Sequence, residues 1–269
     1  MLSVLTLLWL VVPDAAAYVD PKCEGKTQTF DDEGQQNFLL NYFALGTTFS
    51  AIHAPLPHEP GRGALSLEIA GIPPLSCERR LVLNSSKTED TNKAPAAPRP
   101  RLSFTMPEVG PVAVFGSVGY VPPVTFNGVR NVIVSGEIGV GKELESGVQV
   151  GARYHATMLK TIGEIATPFV EGDPAYDEFY SGSTFGLDLS VGKNLGAVTP
   201  YVSVGATDVS TFFLIGDDTY VGLNTDPFFG VVAAAGVAGV AREHIDWGAE
   251  FYTAPGYIYT GRARVGYLF

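Results

Sequence analysis

The sequence is poor in cysteine, in positive charge and in long apolar runs. Its 269 residues include 2 cysteines, and 17 basic residues stand against 28 acidic ones, for a formal net charge of -11. Phosphate binding needs clustered lysine and arginine, so a nucleic-acid partner is not expected. Beyond the N-terminus no apolar run reaches the roughly 18 residues of a spanning helix. The longest candidate, 228–241, is interrupted by glycines and stops at Arg242.

Glycine and aromatic residues are abundant instead, with 31 Gly, 16 Phe and 12 Tyr. All-β barrels commonly reach 200 to 250 residues as one domain, so we expect a single β domain. The end of the chain alternates as a strand does. Residues of one parity suit lipid: Tyr257, Tyr259, Gly261, Ala263, Val265, Tyr267 and Phe269. Those of the other parity suit water: Thr260, Arg262 and Arg264.

The first seventeen residues indicate export. Residues 1–17 have an apolar stretch from Leu2 to Val12 followed by Ala15 and Ala17, which predicts a signal peptide that is cleaved after Ala17. No lysine or arginine precedes the apolar stretch, and a short buried apolar segment is the alternative. If the mature protein is in a membrane, it must be there as a closed sheet, because lipid cannot satisfy free backbone groups.

Period-two segments near the length of a strand that crosses a bilayer recur along the chain. We predict ten strands, at 63–72, 101–107, 111–121, 129–141, 146–157, 182–193, 197–208, 230–241, 244–253 and 258–269. The connections after the second, fourth, sixth and eighth are tight, and those after the first, fifth and seventh are long. Barrels with short periplasmic turns and longer external loops have this pattern. Additional strands in 38–52 or 78–84 would make twelve.

From residue 18 to Phe269 the chain resembles bacterial outer-membrane β-barrel proteins. The resemblance implies an all-β, antiparallel, up-and-down transmembrane barrel in the outer membrane of a Gram-negative bacterium, in contact with its lipid. Tyr267 and Phe269 match the C-terminal signal that the barrel assembly machinery recognises, although Arg264 stands where that signal usually has glycine. We assign 63–269 to the barrel and 18–62 to an N-terminal helical segment.

Strand alternation also assigns the side chains that face the lumen. Val148, Val150, Phe185 and Leu187 fall on the lipid side, and polar residues fall between them. The predicted lumen-lining residues are Glu137, Gln149, Arg153, His155, Asp188, Asp246, Glu250, Tyr252, Arg262 and Arg264. Acidic residues of the ninth strand and arginines of the tenth would then be neighbours.

The N-terminal segment has a different pattern. Residues 31–50 begin with two aspartates and carry Phe38, Leu39, Tyr42 and Phe43 at helical spacing, which predicts an amphipathic helix. The helix either plugs the lumen or lies at the periplasmic mouth. Because an exported chain meets an oxidising compartment, we expect Cys23 and Cys77 to form a disulfide. With Cys77 on the external side, Cys23 reaches it only if this segment threads the lumen.

Several motifs suggest other chemistry. Residues 136–143, GEIGVGKE, look like a phosphate-binding loop, but Glu143 stands where magnesium binding needs Ser or Thr. The histidines have no zinc-binding spacing. Neither a cofactor nor a metal is therefore expected. An enzymatic group at the outer rim would comprise His155, Thr157, Glu164 and Asp208, but Thr157 has no oriented base, so an ionic lumen is the better interpretation and we expect no enzyme. The proline-rich segment 85–100 looks exposed or partner-binding.

Acidic loop residues are more consistent with solvated loops than with calcium ligands. They are Glu164, Glu171, Asp173, Asp177, Glu178, Asp208, Asp217, Asp218 and Asp226. Three functions remain open. The first is passive transport of small solutes or, with a mobile plug, of apolar molecules. The second is a closed structural or adhesive barrel with an ionic core, and the third is an outer-membrane enzyme.

Overall fold

A computed structural model describes residues 19–89, 91, 95–107, 110–126, 129–163, 165, 178–215 and 220–269. The predicted signal peptide lies outside these residues. The strands are β1 (Gly63–Gly71), β2 (Leu81–Val82), β3 (Lys87–Thr88), β4 (Ala96–Thr105), β5 (Ala113–Phe126), β6 (Val129–Glu143), β7 (Val148–Gly163), β8 (Glu178–Lys193), β9 (Val198–Ile215), β10 (Tyr220–Leu223), β11 (Phe229–Ala241), β12 (Ile245–Ala254) and β13 (Ile258–Leu268). The helices are α1 (Asp32–Thr47) and α2 (Cys77–Arg80), preceded by a 3-10 turn at Pro21–Cys23.

Ten strands form a closed antiparallel barrel, in which β1 pairs with both β4 and β13, and β8 pairs with β9. The predicted fold is therefore confirmed, with ten strands rather than twelve. Most of segment 38–52 is helical, and β2 pairs only with β3 in a small hairpin outside the barrel. β10 pairs with the end of β9 at residues 212–215, beyond the part of β9 that pairs with β11.

Side chains alternate across the wall as the sequence predicts. On β12, for example, Ile245 and Phe251 are exposed, whereas Asp246, Glu250 and Tyr252 are buried. Outward residues on every side are large and apolar, and Leu65, Tyr154, Leu187, Val204 and Tyr267 are each about half exposed. Soluble proteins rarely expose such a continuous apolar surface. A belt of this kind suits a barrel that faces lipid.

The two ends of the barrel differ in their connections. The short-turn end carries residues 106–112, 144–147, 194–197 and 242–244, and the long-loop end carries 72–95, 164–177 and 216–228. At the short-turn end Arg242 and Glu243 both have positive φ, 49° and 64°, as tight hairpin turns require. In outer-membrane barrels short turns are periplasmic and long loops external.

α1 begins after Asp31, whose carboxylate accepts a hydrogen bond from the Gly34 N–H at 2.9 Å and caps the first turn. The predicted helix at 31–50 is thus present, and it ends three residues earlier, at Thr47. Neither it nor the shorter described helices are long and apolar enough to cross a membrane. Instead, α1 lies inside the barrel, at its long-loop end.

Candidate functional site in the lumen

The N-terminal segment fills the barrel from one end to the other. α1 lies in the long-loop mouth, where Phe38 stacks on Tyr257 with ring centroids 5.5 Å apart. Residues 48–62, which we call the descending segment, then pass through the lumen to Gly63, where β1 begins at the short-turn end. Of the two predicted positions for the helical segment, the structure therefore has the plug. Tyr257, predicted to face lipid, instead packs on the plug because it lies in the turn before β13.

The long-loop half of the lumen is apolar. Side chains of α1 pack against the wall in two adjoining clusters, which together comprise Phe38, Leu39, Leu40, Tyr42, Ala44, Leu45, Ile133, Leu159, Tyr180, Val209, Phe228, Val232, Ala234, Tyr252, Ala254 and Ile258. Polar bonds flank these clusters, and many of them join Asn37 and Asn41 of α1 to residues 224–228. The Tyr180 hydroxyl donates to the Leu40 carbonyl at 2.8 Å, and the Phe228 N–H donates to the Asn41 side chain at 3.1 Å.

Glycines in the wall make room for the descending segment. A Cβ at Gly141 would lie 2.4 Å from the Pro55 carbonyl oxygen, and one at Gly248 would lie 2.5 Å from that of Ile52. Both glycines are needed because the backbone of the segment comes so close to the wall. Gly141 belongs to the GEIGVGKE motif, which lies within β6, and its glycine therefore has a packing role there.

Four consecutive carbonyl groups of the chain each accept a hydrogen bond from a different buried arginine. Arg99 donates to Thr47 at 3.0 Å, Arg262 to Thr48 at 2.6 Å, Arg153 to Phe49 at 3.1 Å and Arg101 to Ser50 at 3.0 Å. The arginines come from β4, β7 and β13, so opposite parts of the wall hold one short stretch of backbone. Bonds from a charged donor are about twice as strong as neutral ones. We call this arrangement the arginine clamp.

Buried carboxylates balance the clamp. Glu137 accepts hydrogen bonds from Arg153 at 2.6 Å, from Arg101 and from the Ser117 hydroxyl, and it lies 3.0 Å from the His53 ring. Glu68 accepts from both Arg99 and Arg101. Further along the wall, Asp188 pairs with Arg153 at 2.6 Å and Asp246 with Arg264 at 3.0 Å. Removing one member of such a buried set leaves an uncompensated charge.

The structure places all ten predicted lumen residues inside the barrel, and they are buried. They contact the descending segment or each other, and among the described residues they do not line an open path. Glu250 accepts from the Ile52 N–H at 3.1 Å and from Tyr201 at 2.9 Å, and Gln149 accepts from the Leu56 N–H at 3.4 Å. Arg262 does not pair with Glu250, which is opposite to it on β12; it donates to the plug and lies 4.2 Å from the Tyr252 ring.

Three central members of the site were missed in the sequence. Glu68, Arg99 and Arg101 were not assigned to the lumen, and Arg99 was placed in the exposed segment 85–100. Residues 96–100 belong to β4, where Pro98 and Pro100 are exposed on the outer face, so the prediction of an exposed segment is wrong for Arg99 and for Lys87, which are both buried. The alternation of Arg99, Arg101 and Ser103 with apolar residues was the available signal, and the intervening prolines hid it.

A small cap, formed by the 3-10 turn, α2, β2 and β3, closes the long-loop mouth above α1. Cys23 and Cys77 are joined there, with Cα atoms 5.3 Å apart. The Asn84 N–H and the Gln28 amide donate to the carboxylate of Asp32, and these bonds hold its pKa below the usual value. The disulfide thus joins the start of the plug to the connection that follows β1. It lies at the long-loop end, where the sequence predicts it for a segment that threads the lumen.

The other candidate sites do not assemble in the described residues. His155 and Thr157 point into the lumen, where Thr157 accepts from the Phe49 N–H at 3.0 Å, but Asp208 lies on the outer side of β9. Glu164 is outside the described residues, as are Glu171, Asp173, Asp177, Asp217 and Asp218. Within the described ranges no three metal-binding side chains come together. Glu178 contacts its own loop through the Ile165 N–H at 3.0 Å.

The C-terminal aromatic residues close the barrel at its short-turn end. The Phe269 N–H donates to Gly63 at 2.8 Å, and the Gly63 N–H donates back to Phe269 at 3.1 Å. Both Tyr267 and Phe269 point outward and are 58% exposed. Their role as an assembly signal stays a prediction.

No protein-family model matches the chain, and no curated protein matches it. Among solved structures, the chain is similar to the translocator domain of the autotransporter NalP from Neisseria meningitidis, at 12% identity over 79% of this chain and 89% of that one, with a TM-score of 0.42. It is also similar to the toluene transporter TodX of Pseudomonas putida, at 12% identity over 85% and 75%, with a TM-score of 0.40.

A third similar structure is the attachment invasion locus protein Ail of Yersinia pestis, at 11% identity over 78% of this chain and 99% of that one, with a TM-score of 0.27. The three are a translocator, a transporter and an attachment protein. At these identities and TM-scores the likenesses carry no argument about activity. The outer-membrane type of barrel architecture follows from the strand pairing and the outward apolar belt of the chain itself.

Proposed function

We propose that this protein is an outer-membrane β-barrel of a Gram-negative envelope that its own N-terminal segment closes along the axis. It acts as a structural or adhesive barrel through its long-loop rim rather than as an open pore. The apolar outer belt supports a position in lipid, and the C-terminal residues Tyr267 and Phe269 support delivery by the barrel assembly machinery. Neither a cofactor nor a catalytic group forms part of the proposal.

The arginine clamp is the observation that carries the proposal. An open conduit lined by charged groups leaves those groups facing water, whereas here the arginines donate to the backbone of the segment between them. Both ends of the plug are also fixed. Cys23 is bonded to Cys77 at the long-loop end, and Gly63 is part of the wall at the short-turn end.

Passive transport is the second candidate, and one observation favours it. The descending segment contributes no strand to the barrel, and side chains rather than a backbone ladder hold it to the wall. A shift of this segment opens the axis without breaking the barrel. Small solutes, or apolar molecules, would then pass.

Ion conductance in a planar bilayer tests the proposal. We expect the intact protein to be silent and a variant that lacks residues 18–50 to conduct, because the deletion removes α1 and the clamped carbonyls. Arg153→Gln should give intermittent currents, and Lys160→Gln, an exposed residue on the same strand, should remain silent. Steady currents through the intact protein would overturn axial closure. Silence after the deletion would exclude the plug as the closing element and the transport candidate with it.

A further inference from the structure

The wall of the barrel contains a place where backbone pairing stops halfway. β4 and β5 pair only from Arg101 to Thr105 against Phe115 to Gly119. Beyond Arg101 and Gly119, towards the long-loop end, β4 continues to Ala96 along β1 and β5 continues to Phe126 along β6. No pairing joins 96–100 to 120–126, and all of these residues are described. We call this gap the β4–β5 seam.

Prolines stand at the positions that face the seam. The Thr105 N–H donates to the Arg62 carbonyl, which precedes β1, whereas the Met106 N–H donates to the Val114 carbonyl on the side of β5. The backbone N–H and C=O groups of even-numbered β4 residues therefore point towards β5. Pro98 and Pro100 are even-numbered, and proline has no N–H to leave unsatisfied. On the other side, Pro122 and Pro123 coincide with a register shift in β5 between Val121 and Val124.

Side chains on the lumen side hold the seam where the backbone does not. Arg99 of β4 reaches across β5 and donates to the Ser135 hydroxyl of β6 at 2.7 Å, while its other nitrogen donates to Glu68 of β1. The arginine passes over Gly119, where a Cβ would lie 2.8 Å from its Cδ. Glycine at 119 is therefore required for this latch. The latch is one side chain, and it can move without disrupting any strand pair.

Both openings of the seam are apolar. On the outer surface Pro98 and Pro100 are paired with the exposed Ile69 and Leu67 of β1, which belong to the lipid-facing belt. On the inner side Val121 packs against the cluster of Leu40, Ile133, Leu159 and Tyr180, beside α1. Apolar side chains therefore border the seam on its lipid face and on its lumen face, and on the lumen side the Arg99 side chain lies between them.

We propose that the β4–β5 seam is a lateral port that takes up the acyl chain of a membrane lipid from the outer leaflet. An added β-strand is disfavoured as the occupant, because it needs N–H donors that Pro98 and Pro100 lack. An acyl chain needs no N–H donor, and the acyl chains of the membrane surround this part of the wall. The port is independent of the axis, so the barrel is closed to ions and open sideways to apolar chains.

Photolabelling of the full-length protein tests the port. The protein is reconstituted in vesicles of phosphatidylcholine with a small fraction that carries a diazirine at the end of one acyl chain, irradiated, and mapped by mass spectrometry. We expect label on lumen-side residues behind the seam, Val121, Leu40 and Phe43, in addition to outward residues. Label that is confined to outward residues such as Tyr120 and Val124 would overturn the port.

Two cysteine pairs supply the matched control. Pro100 and Tyr120 stand directly beyond the last paired residues, and both native cysteines are already bonded, so Pro100→Cys with Tyr120→Cys can form a bond across the seam. Tyr154→Cys with Leu187→Cys forms the same bond on the fully paired wall between β7 and β8. Mass spectrometry verifies each bond. The seam pair should abolish lumen-side label and the wall pair should not; equal effects of the two pairs would contradict the port.

Loosening the latch gives the opposite change. Ser135→Ala removes one acceptor of Arg99 and should raise lumen-side label about fivefold, the effect of one typical hydrogen bond. Unchanged label would mean that Arg99 does not govern the port. These outcomes are separate from axial conductance: a silent bilayer with outward label alone refutes the port and leaves the closed barrel, whereas steady current with lumen-side label refutes only axial closure.

Discussion

The two halves of the lumen are filled in different ways. At the long-loop end α1 meets the wall through apolar side chains, and at the short-turn end the descending segment meets it through arginines and carboxylates. The backbone explains the difference. A helix satisfies its own N–H and C=O groups, so the surrounding wall can be apolar, whereas an extended segment with no sheet partner must find its partners on the wall.

The polar residues of the wall follow this requirement. Where the descending segment presents carbonyls, the wall presents arginines, and where it presents N–H groups, the wall presents Thr157, Glu250 and Gln149 as acceptors. The charged lumen is thus explained by the conformation of the plug and not by a passing solute. Stability should therefore depend on charge in one half and on volume in the other.

The largest effect is expected at the centre of the ionic half. Glu137→Gln removes the carboxylate that Arg101 and Arg153 share, which leaves each arginine with a single charged partner, and it should lower the free energy of unfolding by about 3–5 kcal/mol. Urea titration in lipid vesicles, followed by circular dichroism, measures the change. Glu145→Gln, at an exposed position in the turn that follows the same strand, is the control and should stay within about 0.5 kcal/mol of the native protein. Equal losses at the two positions would remove the distinction.

A smaller loss is expected from volume in the apolar half. Leu45→Ala truncates a fully buried side chain of α1 and should cost about 3 kcal/mol through lost burial and the cavity left behind. The same urea titration applies, and Leu83→Ala, 40% exposed in the cap, is the control. A neutral Leu45→Ala would mean that α1 docks only loosely in the mouth.

The smallest effect should come from a polar contact in the apolar half. Tyr180→Phe removes the hydroxyl that donates to the Leu40 carbonyl, which should cost about 1 kcal/mol. The exposed Tyr154 gives the matching Tyr154→Phe control, with no change in the urea midpoint. A loss as large as that of Glu137→Gln would show that polar contacts, rather than packing, also hold the outer half.

Strand alternation made most of the wall predictable, because burial on one face leaves a period of two in the sequence. Arg262, Arg264 and Asp188 were assigned to the lumen on that basis, and the positions agree with the structure. The partners could not be predicted. Arg262 bonds to a carbonyl more than two hundred residues away, and backbone carbonyls have no residue type that a sequence can display.

The start of β4 was the main element that sequence patterns misplaced. Because proline cannot donate to a strand ladder, Pro95, Pro98 and Pro100 argue against a strand that pairs on both sides. Here the strand pairs on one side only at this height, and the prolines use the unpaired side. Arg99 was hidden for the same reason. The rule that proline excludes a strand failed here because β4 has no strand partner on the side that these prolines face.

The route of the chain through the lumen also restricts how the barrel can be made. From Cys23 the chain descends inside, turns at Gly63 and rises again as β1 to Cys77, so the disulfide turns plug and first strand into one covalent ring. Because β1 is part of the wall and the plug lies inside it, a barrel that has already closed cannot take up this ring. When the bond forms before β1 meets β13, the remaining strands have to assemble around a plug that is already in place.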